Sequence, residues 1–326
     1  MSKSRIPSAT QSPRFSGIRT FMRLPYEPDS SQWPNTDVAV VGLPFDTAAS
    51  FRPGARFGPS GIRDISTLLR PSNQFHKMNA FDKLRVVDIG DLTAIPGDIQ
   101  RTFDNISTAY HDLAAVSVIP LGLGGDHSVS LGELRGLAAH HGPLSLIHFD
   151  AHCDTWDNYW GLKYTHGTIF RRACEEGLII PDRSIQVGMR GTEYDPADLD
   201  ASRSLGFEVL PTVDIVKMEA EAVARAVKSR VGQNPVFFTF DIDFFDPSQA
   251  PGTGTPEVGG LTSLFGLEIV RRLGGLNFVG FDVVEVLPAH DVAQITQLLA
   301  ATLAFEFVAL AALGPPVWNS ASATAK

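Results

Sequence analysis

The sequence predicts an α/β fold in which a mainly parallel eight-stranded sheet is wrapped by helices. Three observations carry that expectation. Eight short Val/Ile/Leu/Phe runs are apolar on both faces, as strands buried between two layers must be. Helix-patterned stretches separate most of them, so the order is β-α repeated. A hydrophobic content of 44% in 326 residues is ample for one large core. Taken in order, the run at 37–43 precedes a helical stretch at 59–69, and 84–88 precedes 98–115. The run at 117–122 precedes 128–140, and 143–149 leads into a polar segment rich in Asp and His. Then 184–188 precedes 197–205, 207–210 precedes 213–231, 235–241 precedes 262–273, and 276–282 precedes 291–312. Eight such units can close into a barrel or stay open as a doubly wound sheet, and periodicity does not separate the two. In either case function gathers at the C-terminal ends of the strands. No Pro/Ser/Gly-rich linker divides the chain, which implies one domain over 36–315. Residues 1–35 read as an N-terminal arm and 316–326, ending in "NSASATAK", as a flexible tail.

Composition removes several function classes. Lys and Arg total 27 against 36 Asp and Glu, a net charge of -9, and no basic cluster tracks a phosphate backbone. Nucleic acid is therefore not an expected partner. No run approaches the roughly 20 apolar residues of a membrane span. Residues 1–20 are polar and broken by Pro7 and Pro13, unlike a signal peptide. The two cysteines, Cys153 and Cys174, form no disulfide framework or metal knuckle, which fits a reducing, cytoplasmic setting. "GLGG" is not a G-x-G-x-x-G fingerprint and no G-x-S-x-G elbow occurs, so neither dinucleotide binding nor a serine nucleophile is expected.

Four segments place acidic or histidine residues where strands should end: "GLGGDHS" (122–128), "HFDAHCD" (148–154), "FDIDFFD" (240–246) and "FDVVEV" (281–286). Each alone has a structural reading. His127 after two glycines suits a turn, with Asp126 or Ser128 capping the helix at 128–140. A lone D-x-D suits a turn as well. Together they read differently. Alternation on an extended backbone would put Asp150, His152 and Asp154 on one face, and Asp241 and Asp243 likewise. Four Asp and two His at one sheet edge carry an unbalanced charge, and burying unpaired carboxylates costs several kcal/mol each. One or two divalent cations would balance it. Oxygen and imidazole donors without thiolate favour Mn2+-like ions, with Ni2+ and Co2+ as alternatives. Six ligands exceed one tetrahedral site and suit a metal pair, hence a two-metal hydrolase. Cys153 would lie on the opposite face as a packing residue. Phe244 and Phe245 fit packing better than a substrate channel, and the aromatic loop "WDNYWGLKYTHG" (156–167) either contacts a substrate tail or braces itself.

These motifs, together with "APGTGTPEVGG" (250–260), "RPGARFGP" (52–59) and "THGTIFRRACEEGL" (165–178), strongly resemble those of the ureohydrolases, the arginase and agmatinase family, from about residue 14 to 312. The last two look closest to the agmatinase and guanidinobutyrase branch. The resemblance implies an open three-layer α/β/α sandwich rather than a barrel. It implies two divalent ions, one on His127, Asp150, Asp154 and Asp241 and the other on His152, Asp150, Asp241 and Asp243. Glu285 would hold the substrate guanidinium, His166 would relay a proton, and Asp154 would bond the nucleophile. It also implies a homo-oligomer, hexamer or trimer. The expected reaction is hydrolysis of a small guanidino compound to urea and an amine, with agmatine first and 4-guanidinobutyrate or 3-guanidinopropionate next. Guanidine, substituted guanidines, biguanides and formimino compounds are further alternatives, and a non-catalytic partner subunit would be expected to have lost ligands that this chain keeps. "LPAHD" (287–291) departs from the agmatinase pattern, which has Tyr in place of His290 and His in place of Val292.

Overall fold

A computed structural model describes residues 6–315, so the tail expected at 316–326 and the first five residues of the arm lie outside the described residues. All eight apolar runs form strands: β1 Val38–Gly42, β2 Val86–Asp91, β3 Ile119–Leu123, β4 Ser145–Phe149, β5 Ile185–Met189, β6 Glu208–Pro211, β7 Val236–Asp241 and β8 Phe278–Val284. They pair in one parallel sheet of order β2-β1-β3-β8-β7-β4-β5-β6. The sheet is open, with β2 and β6 at its edges.

Side-chain alternation along each strand divides the core into two layers. Val38, Leu121, Phe238 and Val283 face one layer, packed by helices α1 Gly58–Ser66, α6 Ala220–Val231, α7 Ser263–Arg271 and α8 Ile295–Ala311. Ala39, Leu146, Phe237 and Val284 face the other, packed by α2 Ile99–Ala115, α3 Val129–His141, α4 Ile169–Glu175 and α5 Asp198–Ser204. This is the α/β/α sandwich. Helix α8 is buried along nearly its whole length, and its single acid, Glu306, is bonded by Asn73 at 2.7 Å and by Arg271 at 2.8 Å. Among the described residues no helix is long and apolar enough to cross a membrane.

Two helical expectations need correction, and one helix lies outside the expected stretches. The stretch 213–231 is not one helix: a single turn, Thr212–Ile215, ends at Val216, and Glu219 is extended (ψ 151°) before α6 begins. Apolar spacing continues across the break, so periodicity does not register it. The last helix starts at Ile295 rather than 291, because Ala293 and Gln294 are left-handed and Asp291 caps the amides of Thr296 and Gln297. Helix α4 was not expected as a separate element; its "IFRRACE" is too short for a periodic signal.

Within the N-terminal arm, Phe21 and Met22 are buried, and the Phe21 amide donates to Asp88 at 2.8 Å. Tyr26 bridges in parallel to the same residue, so the arm covers the otherwise open edge of β2.

Beyond β3, Gly125 passes so close to the chain at Leu43–Phe45 that a Cβ there would collide with the Phe45 carbonyl. That proximity lets the Asp126 amide donate to Phe45 at 2.8 Å. Gly125→Ala is expected to lower stability by about 3 kcal/mol, since backbone cannot yield as a side chain does; a urea midpoint close to that of the parent would contradict this.

Candidate metal and active site

The sheet order makes β3, β8, β7 and β4 its four central strands, and these bear the four acidic segments. Their C-terminal ends therefore open side by side. Asp126 and His127 follow β3 through Gly124 and Gly125. Asp150, His152 and Asp154 follow β4, Asp241 ends β7, and Glu285 follows β8. Simple strand alternation does not align them, which corrects the sequence-based reason. Strand β4 ends at Phe149, Asp154 has a left-handed backbone (φ 50°), and Asp243 sits in the 3-10 turn Ile242–Phe244. Short caps shape these turns: Asp150 accepts the His152 amide at 2.6 Å, and Asp241 the Asp243 amide at 2.8 Å.

All six expected ligands come together. His127 Nδ1 lies 3.0 Å from Asp150, 3.0 Å from Asp154 and 3.5 Å from Asp241. His152 Nδ1 lies 3.1 Å from Asp243 and 3.4 Å from Asp150. Two groups have possible ligand atoms all within 4.8 Å of one another: His127, His148, Asp150 and Asp154, and then Asp150, His152 and Asp243. Asp150 belongs to both. His148 is the residue that sequence reasoning missed, although it keeps the two-residue spacing of Asp150, His152 and Asp154.

Electrostatics show a cluster short of positive charge. Burial, then Asp243 and Asp150, hold the Asp241 carboxyl well above its ordinary range. Burial and Asp150 raise Asp243 to about 6, against the pull of His152. Asp150 goes the other way: burial would raise it, but the surrounding histidines, His148 first, hold it well below. Burial disfavours charge on His127 and His152, yet their carboxylate neighbours outweigh it and hold both well above the usual imidazole range. His127 Nδ1 and Asp243 Oδ2 are buried without a hydrogen-bond partner. A divalent cation pair fits this donor set, because carboxylate oxygens crowd around imidazole nitrogens that hold protons where a metal ion can take their place. Thiolate plays no part, since burial pushes the Cys153 thiol up.

Glu285 and His166, 119 residues apart, form one unit. His166 Nδ1 lies 2.8 Å from Glu285 Oε1, which also accepts the His127 amide at 2.9 Å. The Ser50 amide donates to His166 Nε2 at 3.0 Å, and an amide can only donate. That contact favours the neutral ring with its proton on Nδ1. Burial does so too, but Glu285 opposes both and lifts the histidine to about 9. Glu285 Oε2 is buried and unpartnered.

A cleft of about 470 Å3 opens above, with Asp154, Asp241, His152 and His166 in its floor and Arg52, Trp156 and Glu257 among its walls. That volume suits a small ligand. Trp156 is braced: its indole N–H donates to Asp198 at 3.0 Å and its ring packs edge-on against Tyr159 and Tyr194. It also walls the cleft, so the two readings of the aromatic loop are compatible. Phe244 and Phe245 are fully buried packing residues, while His290 is exposed in a short 3-10 turn.

Comparison with known proteins agrees with this geometry. The chain is 43% identical over 305 residues to a guanidinopropionase of Pseudomonas aeruginosa, covering 93% of this chain and 95% of that one. It is 44% identical to an agmatinase of Serratia proteamaculans, covering 89% and 90%. The solved proclavaminate amidino hydrolase of Streptomyces clavuligerus superposes with a TM-score of 0.88 at 40% identity, covering 92% of this chain and 99% of that one. The family model described as the arginase family matches residues 36–309. With the open parallel sheet and the His/Asp cluster at its centre, this chain belongs to the arginase family.

Proposed function

We propose that the chain is a dimetal hydrolase that cleaves the guanidino C–N bond of a small guanidino compound, releasing urea and an amine. The observation that carries the proposal is the convergence of six buried or half-buried metal-binding side chains beside a buried carboxylate oxygen, Glu285 Oε2, that has no partner. His127, Asp150, Asp154 and Asp241 would hold one ion. His152, Asp150, Asp241 and Asp243 would hold the second, with Asp150 and Asp241 shared. Mn2+ is the expected metal, Ni2+ or Co2+ the alternatives. When bound, such a pair lowers the pKa of water toward neutrality and offsets the carboxylate charge.

The protein's own groups do the rest. Glu285 Oε2 accepts the planar guanidinium while Oε1 stays anchored to the His127 amide, so the cation is oriented before reaction. Asp154 accepts a hydrogen bond from the attacking water. Amine departure needs a proton at nitrogen, and His166, held between Ser50 and Glu285 in the cleft floor, is placed to carry it. We also propose a single catalytic unit over 36–315 that works in the cytoplasm as a homo-oligomer, hexamer or trimer.

Agmatine is the leading substrate, its ammonium tail reaching Glu193 and Glu257 in the cleft wall. A guanidino acid such as 4-guanidinobutyrate or 3-guanidinopropionate is a second reading. Arg52 favours it: this guanidinium lines the cleft with a carbonyl neighbour, Thr253, at 3.5 Å and no carboxylate within ion-pair distance among the described residues. Urea release should be compared across agmatine, these two acids, arginine and free guanidine after loading with Mn2+ or Ni2+. If an acid is the substrate, Arg52→Ala should cut its kcat/KM about tenfold or more and leave agmatine nearly untouched. Absence of urea from every compound would sink the proposal.

A further inference from the structure

We propose that His148 is a positioning residue: a neutral imidazole with its proton on Nε2, which fixes the carboxylate of Asp150 and does not itself bind metal. The inference rests on the reading of Asp150 as the shared ligand. It starts from an atom that leaves no choice. The Gln186 amide on β5 lies 2.7 Å from the Cys153 carbonyl, and a carbonyl oxygen only accepts, so the Gln186 atom facing it is the nitrogen. That nitrogen has a second hydrogen, and 3.1 Å away is His148 Nδ1, directly across the β4–β5 ladder. The Gln186 oxygen is occupied by the Ser202 hydroxyl, so the amide cannot flip without losing both ends.

Nδ1 is therefore an acceptor, and the proton sits on Nε2, 2.7 Å from Asp150 Oδ2. The other oxygen of Asp150 takes the His152 amide. Each oxygen keeps a lone pair free for a cation, and the carboxylate can neither rotate nor swing away. Phe170 packs at 4.4 Å from the His148 ring and His127 at 5.1 Å, and His148 is fully buried. For His148 to be a ligand through Nε2, the proton would have to move to Nδ1, where it would face the Gln186 N–H. Donor would then oppose donor in a dry site, and that excludes His148 from the ligand set despite its proximity to His127 and Asp154.

The test uses imidazole 15N shifts of the full-length protein, first metal-free and then with Zn2+ as a diamagnetic probe, beside Zn2+ affinity measured by chelator competition. The expected result is His148 protonated on Nε2 in both states. His148→Phe should weaken Zn2+ binding by roughly 10- to 100-fold, the usual effect of losing such a partner. His148→Gln, whose amide can still donate to Asp150, should recover most of that loss. Gln186→Glu should move the proton to Nδ1 and weaken Zn2+ binding as His148→Phe does. Loss of the Nε2 proton on adding Zn2+, a proton on Nδ1 in the parent protein, or native affinity in His148→Phe would each overturn the proposal. If His148→Phe does not fold, the glutamine and glutamate variants decide. A parent protein that binds no metal would refute the metal site, while the metal-free tautomer would still decide whether His148 fixes Asp150.

Discussion

Asp241→Asn is expected to reduce urea release by about 10³-fold or more, equivalent to ~4 kcal/mol of lost transition-state stabilisation, and to lower bound metal from two equivalents toward one. The side chain keeps its shape, and its amide oxygen can still cap the Asp243 amide, so the loss should not come from misfolding. The metal-free variant should in fact melt higher than the metal-free parent. Burial, Asp243 and Asp150 hold the Asp241 carboxyl well above its ordinary range, so near neutral pH the metal-free parent must either keep it protonated or bear the repulsion, and the neutral amide avoids that cost. Elemental analysis, thermal melts and steady-state kinetics on one preparation read all three effects. Retained activity with two equivalents of metal would refute the bridging role.

Glu285→Gln is expected to lower kcat/KM by roughly 10²- to 10³-fold, because a buried charge that meets a cation contributes about 3–4 kcal/mol when its partner arrives. Metal content should stay at two equivalents, which separates this variant from Asp241→Asn. The amide can still accept the His127 N–H, so the local fold is kept. The split between constants is informative: a rise in KM alone means Glu285 only holds the guanidinium, while an equal fall in kcat means it orients the guanidinium for attack. An effect under about threefold would remove Glu285 from the site.

Much of this was legible in the sequence, and for identifiable reasons. Strands announce themselves when both faces are buried, and each of the eight apolar runs overlaps a strand, as 37–43 does Val38–Gly42. Their lateral order is another matter. Nothing local in "FVGFDVV" says that β8 lies between β3 and β7, yet that placement assembles the site. Residue types pointed to the six side chains that converge, because carboxylates and imidazoles are uncommon at the end of an apolar run. The means of convergence was misjudged, since alternation ends with the strand and turns aim Asp154 and Asp243. His148 escaped notice because it lies inside the apolar run, where a lone imidazole looks like core. Its partner Gln186 is 38 residues away, a pairing that only the sheet reveals.

Glu285 shares with Asp154 a left-handed backbone, at φ 60° and 50°, a conformation that costs an L side chain about 1–2 kcal/mol and glycine almost nothing. Laboratory evolution for heat resistance alone, with urea production unmonitored, would therefore be drawn to glycine at Asp154 rather than at Glu285, where glycine would strip the buried His127 amide of its acceptor, and on the proposed role of Asp154 it would return sturdy, inert proteins. Any screen for a hardier form of this chain has to read turnover in the same round as melting temperature.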